Sequence, residues 1–368
     1  MRITWLRISC LLILALLQQP SAALAGDAKQ GSENSAAAEK KSTGNSDKKS
    51  SDKKAGEDGK KSGDGKKSDE MGWEEFLDAS RKSYAAGKLN EAANELDLAL
   101  ASAERLKADV TKANVFLKLG EQYIYLKQFE RAKALIEEGI SLKRKIPGFK
   151  SVSSANSLDN LAQAYLRTGD AEGASRFEKE ALATYESLHK TDTHDYAIAL
   201  ANQANTLRQL KQNKEAEQCF AKAVTVQQKV DKGDSIELAK ILLNAGGLYC
   251  DMNRLDSAKR LLDRAARIIH AKVSPEHPLY KLSIKGQRVY YKKLVDELLK
   301  KDPNPIRSEV GQAVTQLASM YDAEGDTTQA AAAYKQAVSI EEKLLPADSP
   351  ELKKIRDDYA ACAKKITN

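Results

Sequence analysis

The sequence predicts an all-α fold, a superhelical solenoid of antiparallel helix pairs. A short pattern of small, apolar and aromatic residues occurs six times along the 368 residues. It begins at residues 79, 119, 161, 203, 245 and 317, so the successive intervals are 40, 42, 42, 42 and 72 residues. A fixed period of 20–50 residues is typical of repeat arrays. Such arrays present an extended surface to partners and rarely perform chemistry.

The second occurrence shows how each unit is built. Leu119, Gly120 and Tyr123 share one face at helical spacing, and a second helical pattern begins at Phe129 after a break at Lys127–Gln128. Two antiparallel helices joined by a tight turn satisfy this pattern. We expect glycine in several of the turns because a left-handed backbone costs glycine little. These turn glycines are Gly87, Gly169 and Gly325.

Small residues recur where the two helices of a pair should cross. Close approach of two backbones leaves no room for larger side chains there. On the first helices these residues are Gly120, Ala162, Ala204, Gly246 and Ala318, and on the second helices they are Ala132, Ala174, Ala216, Ala258 and Ala330.

The N-terminus has the features of a cleavable signal peptide covering residues 1–25. Arg2 and Arg7 precede or flank a short apolar run, and Ala23-Leu24-Ala25 provides a small-x-small cleavage site. The apolar run is too short to span a membrane. We therefore expect cleavage after Ala25 and a secreted or periplasmic location.

Residues 26–70 predict a disordered tether rich in Lys, Ser and Gly. The segment has no aromatic residue and no Leu, Ile or Val, so it cannot bury enough surface to offset the entropy of ordering. Its Lys pairs leave two interpretations open: a weak contact with an anionic polymer of the cell envelope, or a soluble spacer. The alternation of charges of both signs favours the spacer.

Composition limits the classes of partner and of covalent cross-link. The formal net charge of +7 is spread along the chain, whereas a nucleic-acid-binding protein would show a clustered basic stripe. Cys219, Cys250 and Cys362 are too few and too dispersed for a disulfide framework. A bridge between Cys219 and Cys250 is one interpretation, and buried thiols that behave as small apolar side chains are the favoured one.

The repeated residues resemble those of tetratricopeptide repeat (TPR) proteins, of the 42-residue variety found in kinesin light chains. The resemblance covers about Trp73 to Lys343. It is strengthened by the connectors at 194–197, 275–278 and 348–352, which are similar to the Asp-His-Pro connector of that subfamily. The resemblance implies a right-handed superhelix whose inner groove holds peptides. It does not imply motor transport.

The 72-residue interval predicts an interruption late in the array. Five repeats occupy residues 71–275, and one long helix at 279–301, within a degenerate unit at 276–305, ends before Pro303. A sixth repeat follows at 306–345 and a polar capping helix at 346–368. The interruption either bends the groove and exposes a docking face or is a degenerate repeat packed on its neighbours. The second interpretation is favoured because such units are common in arrays.

No residue pattern predicts an enzyme. The four histidines include no pair at i, i+4 spacing, there is no CxxC, and no P-loop, GxSxG or GxGxxG occurs. His194 and His277 fall in connectors, where hydrogen bonding within turns is the favoured role. We therefore expect no catalytic residue, no metal site and no cofactor.

The inner groove is the candidate binding site. Asn160, Asn202 and Asn244 recur at 42-residue intervals, and amides can both donate to and accept from the backbone of an extended peptide. These asparagines could equally bond to neighbouring helices, and the sequence leaves both roles open. The full candidate set is Lys118, Glu121, Tyr125, Asn160, Gln163, Arg167, Asn202, Asn205, Arg208, Lys240 and Asn244.

We therefore expect an exported protein-interaction scaffold that binds an extended peptide or a partner helix in its groove, with no nucleic-acid partner and no membrane span. The resemblance supports a groove function, although the set of Lys and Asn residues that clamps a chain terminus in co-chaperone TPR proteins is not reproduced. The alternative is a structural protein of the cell envelope that assembles with itself through the array.

Overall fold

The computed structural model describes residues 72–367, and this part of the chain contains fourteen helices and no strand. The predicted all-α class is confirmed. The predicted signal peptide and the whole predicted tether lie outside the described residues. The helices are α1 (Trp73–Ala85), α2 (Leu89–Glu104), α3 (Asp109–Tyr125), α4 (Phe129–Arg144), α5 (Val152–Arg167), α6 (Ala171–Ser187), α7 (His194–Gln209), α8 (Asn213–Asp231), α9 (Ile236–Asp251), α10 (Leu255–Lys272), α11 (Pro278–Lys301), α12 (Ser308–Glu324), α13 (Thr327–Glu341) and α14 (Pro350–Thr367).

Helices α1 to α10 form five antiparallel hairpins, each with a first and a second helix. Each hairpin packs on the next, and from α3 to α11 successive first helices also pack on one another. Successive second helices are farther apart. Ion pairs between long side chains bridge them, such as the one between Arg144 Nη2 on α4 and Glu180 Oε1 on α6 at 2.7 Å. Because the first helices are closer together, they line the concave face of the superhelix.

The turn inside each hairpin uses one left-handed residue at the same place in every repeat. Glycine occupies it in three turns, at positions 87, 169 and 325. The equivalent residues in the other turns are Lys127, Lys211 and Asn253, with φ of 60°, 63° and 58°. A left-handed conformation costs a non-glycine residue roughly 1–2 kcal/mol. The uniform geometry therefore reflects packing of the two helices rather than the preference of the turn residue.

Close helix crossing explains the small residues of each repeat. A Cβ atom added at Gly120 would lie 2.4 Å from Ile136 Cγ1 in the partner helix. One added at Gly246 would lie 2.7 Å from Leu262 Cδ2. The expected requirement for small side chains at the crossing is confirmed at these two positions.

In the second, third and fifth repeats, a tyrosine of the repeat pattern links the hairpin to the one before it. Tyr123 is fully buried, and its hydroxyl donates to Asp97 Oδ1 on α2 at 2.5 Å. Tyr249 likewise donates to Glu217 Oε1 on α8 at 2.8 Å. In the fourth repeat the equivalent residue is Leu207, which has no hydroxyl. The third and fourth repeats are joined by a different polar arrangement.

The predicted long helix is present as α11 and takes the place of a sixth first helix. It packs on α9 and α10 on one side and on α12 on the other. Leu282 and Tyr290 belong to the hydrophobic cluster of α9 and α10, whereas Val295 belongs to the cluster built by α12, α13 and α14. No separate second helix stands between α11 and α12. The array continues through this single helix.

Helix α14 closes the described part of the array. It packs on α13 through Leu352, Ile355 and Cys362, which are buried, while most of its other residues are exposed. All three cysteines of the described residues are free, so Cys219 and Cys250 are not bridged in this structure.

Candidate functional site

Two rows of side chains run along the concave face because the first helices repeat at 42-residue intervals. The asparagine row consists of Lys118, Asn160, Asn202, Asn244 and Gly286, and the second row consists of Glu121, Gln163, Asn205, Gly247 and Val289. Both rows change from polar residues to glycine and valine toward α11. The structure therefore brings most of the predicted groove residues onto one continuous face.

Asn202 does not face solvent. It is only 9% exposed, and its Nδ2 donates to Asp159 Oδ2 on the preceding first helix at 2.7 Å. Asn244, one repeat later, is buried as well. The reason is that successive first helices pack directly on one another, which removes water from between the row positions.

Asn160 and Asn244 differ from Asn202 in their bonding. Asn160 is half-buried and Asn244 is 8% exposed. Neither side-chain amide forms a hydrogen bond with another of the described residues, and neither amide is fully shielded from solvent. The row therefore contains one asparagine that holds two helices together and two whose amides are unused.

A buried polar network lies beneath Asn202, between the third and fourth repeats. Thr206 Oγ1 donates to Glu178 Oε1 at 2.7 Å, and Gln203 Nε2 donates to Ser175 Oγ at 3.1 Å. Burial raises the pKa of Asp159 to about 6, against the opposing effect of the amides of Asn202 and Gln163. Burial also raises the pKa of Glu178 well above its ordinary value. This network replaces the tyrosine–carboxylate link that Leu207 cannot make.

Asn205, in the second row, is also almost fully buried. Its Oδ1 is shielded from water and accepts no hydrogen bond from the described residues. Gln163, one repeat earlier, is half-buried near Asp159. Both amides lie in the packing layer of the concave face rather than on its outermost surface.

The N-terminal end of the groove carries an aromatic cluster. Lys118 Nζ lies 5.5 Å from the centre of the Trp73 ring, and the rings of Tyr84 and Tyr125 are 6.2 Å apart. The side chains of Glu121 and Tyr125 share a hydrogen bond, and burial raises the pKa of Tyr125 to about 12. The predicted residues Lys118, Glu121 and Tyr125 therefore form one partly exposed group.

Two predicted groove residues make local contacts instead. The Arg167 guanidinium lies 4.8 Å from the centre of the Phe129 ring, at the edge of the array near the hairpin turns. Lys240 Nζ lies 3.8 Å from Glu237 Oε1 on its own helix. The structure does not bring Arg167 together with the asparagine row.

Arg208 is the most buried cation of the concave face. Its Nε donates to Asp251 Oδ2 on the next first helix at 2.6 Å, and its side chain is 9% exposed. A Cβ added at Gly247 would lie 2.9 Å from Arg208 Nη1. The absence of a side chain at position 247 thus makes room for the guanidinium.

Sequence reasoning missed Asp159, Glu178 and Gly247. Asp159 directly precedes Asn160, and Gly247 follows Asn205 by 42 residues, so the period itself could have drawn attention to both. Glu178 carries no such signal, because its burial depends on the packing of α6 against α7.

The described residues contain no cluster of His, Cys, Asp and Glu that could hold a metal ion. His194 Nδ1 instead lies 3.1 Å from Gln227 Oε1, and His277 Nδ1 accepts the backbone N–H of Leu279 at 3.1 Å. Within residues 72–367, no helix is both long and apolar enough to cross a membrane.

Comparison with known families decides what kind of repeat this is. A tetratricopeptide repeat model matches residues 111–187 and 195–269, and a second one matches residues 311–344. The matched segments cover just over half of the chain. The chain belongs to the tetratricopeptide repeat family. The resemblance in the repeated residues is thus confirmed at the level of the family.

Solved structures with the same helical architecture support the TPR fold. The apo form of RapI matches with a TM-score of 0.51 and 14% identity, over 74% of this chain and 98% of that one. Aspartyl phosphate phosphatase F from Bacillus subtilis matches with a TM-score of 0.51 and 13% identity, over 73% of this chain and 70% of that one. A kinesin light chain-like protein from Podosopora anserina, with nearly identical TPR-like repeats, matches with a lower TM-score of 0.41 and 15% identity, over 66% of this chain and 100% of that one, and adds no support for the fold. No curated protein matches the chain.

Proposed function

We propose that this TPR array is a non-enzymatic interaction scaffold that binds an extended peptide or a partner helix of another protein along its concave face. The observation that carries the proposal is the pair of unused amides at Asn160 and Asn244. Each amide can donate a hydrogen bond to a backbone carbonyl and accept one from a backbone N–H, and an extended peptide offers both groups along its length. The aromatic cluster around Tyr84 and Tyr125 adds apolar contact area at one end of the same face.

The proposal includes export, because the predicted signal peptide and tether precede the array. An exported scaffold would meet its partners outside the cytoplasm, and the tether would act as a soluble spacer in front of the array. The self-assembling envelope protein is the competing role, and it predicts oligomers that form without any other ligand.

Selection from a random peptide library displayed on phage tests the groove directly. Selected peptides should bind the full chain and lose about fivefold to a hundredfold in affinity when Asn160 and Asn244 are both replaced by alanine, since each lost amide contact costs about 0.5–1.5 kcal/mol. The matched control replaces Asn94 and Gln218, exposed amides on second helices, by alanine. Equal loss in both double variants would contradict a concave site. Concentration-dependent oligomers in sedimentation experiments, without peptide binding, would favour the self-assembling role.

A further inference from the structure

A small cavity opens on the concave face between α7, α9 and α11. Its volume is about 30 Å³, roughly two to three times the space that one water molecule requires. It exists because the two rows reach Gly247 and Gly286 here, where earlier repeats carry polar side chains. Most of its lining is apolar, and Arg208, Asn244 and Asp251 supply its polar groups.

Arg208 has unused hydrogen-bond donors at this cavity. Only its Nε is engaged, by Asp251. Nη1 and Nη2 donate to none of the described residues, although the side chain is more than nine-tenths buried. A guanidinium has five N–H donors in a fixed fork that matches a carboxylate. Neither nitrogen is among the atoms that are fully shielded from solvent, so both stay open to an acceptor that enters the cavity.

Asn244 lines the same cavity with an amide that also lacks a partner. Lys293 stands at one side, where its Nζ donates to the main-chain carbonyl of Cys250. The lining itself carries one positive and one negative charge, from Arg208 and Asp251, and Lys293 adds a second positive charge beside it, so the charge around the cavity is net positive. Two polar groups without partners and a net positive charge in one recess form a site built for a hydrogen-bond acceptor that carries negative charge.

We propose that this cavity is a subsite for one carboxylate group of a bound peptide, held by Arg208 Nη1 or Nη2 and by the Asn244 amide. The inference rests on the proposed peptide-binding function and specifies its chemistry. The carboxylate would belong either to an acidic side chain or to a chain terminus. The surrounding Leu243, Leu282 and Val289 would contact the short apolar stem that carries it.

A carboxylate fits better than the other acceptors. A phosphate group is larger, and its second charge would be repelled by Asp251, whose carboxylate already neutralises part of the Arg208 charge. A neutral amide would satisfy the donors but would leave the positive charge of the cavity without a counter-charge. Hydrogen bonds between a guanidinium and a carboxylate are roughly twice as strong as those between neutral groups.

Three small probes test the proposal on the full chain. N-acetylaspartate N′-methylamide carries a side-chain carboxylate, N-acetylglycine carries a terminal one, and N-acetylasparagine N′-methylamide is the neutral match of the first. Nuclear magnetic resonance of protein labelled with ¹⁵N in arginine and glycine follows the Arg208 Nε–H and the Gly247 amide. We expect saturable shifts at both signals with one or both carboxylates and none with the asparagine derivative. The carboxylate probe that binds more tightly shows whether the subsite prefers an acidic side chain or a chain terminus.

Two variants and one control complete the experiment. Gly247→Ala should displace the guanidinium and weaken the best carboxylate at least about tenfold without removing a charge, and Arg208→Gln should weaken it as much. Arg254→Gln, which removes an exposed arginine paired with Glu217 on α8, should leave the affinity unchanged. Binding of the asparagine derivative with equal affinity, or unchanged affinity in Gly247→Ala, would overturn the proposal.

The same variants separate this inference from the proposed function. If selected peptides bind Gly247→Ala as well as the wild-type chain, but lose affinity when Asn160 is replaced, the groove binds peptides and the carboxylate subsite is wrong. If no peptide binds the concave face of the wild-type chain, the proposed function itself fails.

Discussion

Asn202 Nδ2 donates to Asp159 Oδ2 at 2.7 Å across two successive first helices, and both side chains are at least nine-tenths buried. The residues are 43 positions apart, one more than the repeat. The same separation joins Arg208 to Asp251. Polar contacts between first helices therefore fix the spacing of the repeats on the face where a ligand would lie.

Replacing Asn202 by alanine should destabilise the array, whereas the same change at Asn160 should not. Loss of the Asn202 amide removes one of the donors to the buried carboxylate of Asp159, and such a loss typically costs about 1–3 kcal/mol. Denaturant unfolding of the two single variants, each compared with the wild-type chain, measures the difference. Equal stability of the two variants would show that the Asp159 contact contributes nothing.

The stability of the array should fall as pH rises from about 4 toward neutral. Asp159 and Glu178 have raised pKa values when folded, so the folded chain keeps protons that the unfolded chain has already lost. For Asp159 the rise from 3.8 to about 6 corresponds to about 3 kcal/mol lost across that range. Urea unfolding at several pH values between 4 and 8 measures this slope.

Glu178→Gln should remove part of that slope and raise the melting temperature at pH 8. The neutral amide keeps the contact with Thr206 and has no charge to desolvate. Glu138→Gln, an exposed position on α4, is the control and should leave the slope unchanged. A steeper slope in Glu178→Gln would mean that the buried carboxylate is stabilising as an anion.

Gly120→Ala should destabilise the second hairpin. The added Cβ would overlap Ile136, and overpacking of this kind typically costs about 1–3 kcal/mol, which exceeds the roughly 0.5–1 kcal/mol that alanine gains over glycine in a helix. Gly233→Ala has no atom within 4 Å of the added Cβ and is the matched control. Chemical denaturation of both variants compares the two costs, and a stabilised Gly120→Ala would place the helix crossing elsewhere.

Labelling of thiols should distinguish the three cysteines of the described residues. Cys219 is partly exposed, whereas Cys250 and Cys362 are buried, and burial raises the pKa of the Cys250 thiol to about 11. Since the thiolate is the reactive form, iodoacetamide at pH 8 should modify Cys219 first. Mass spectrometry of peptides reports the order. After denaturation without reductant all three should react, and protection of Cys219 together with Cys250 would reveal a bridge.

Exported protein should begin at Gly26. The motive is the Ala23-Leu24-Ala25 sequence behind a short apolar run. N-terminal sequencing of material recovered outside the cytoplasm checks the site. Mature protein that still carries Met1 would rule out a cleaved signal peptide.

The repeat period predicted the fold because it is a property of the whole pattern rather than of any one residue. It identified glycine in three turns but gave no sign that Lys127, Lys211 and Asn253 adopt the same left-handed conformation. Those residues are forced into it by the packing of the two helices that they join. Local preference and tertiary geometry disagree there, and geometry prevails.

The sequence predicted where the candidate site lies, but it did not predict which hydrogen bonds its residues form. Asn160, Asn202 and Asn244 are equivalent by spacing, yet only Asn202 has a carboxylate within reach, because Asp159 lies one residue away from the row on the preceding helix. The cavity beside Arg208 depends on glycines in two different helices. Neither arrangement is visible until the angle and distance between neighbouring hairpins are known.

Helix α11 has a consequence for how the array unfolds. Its N-terminal half completes one hydrophobic cluster through Leu282 and Tyr290, and its C-terminal half completes another through Val295. In a linear array each unit is stabilised mainly by its neighbours. If the hairpins before α11 or the helices after it unfolded alone, one half of α11 would lose its packing partners while the other half stayed packed. The last three helices should therefore unfold together with the hairpins before them, as a single cooperative transition rather than as an independent module.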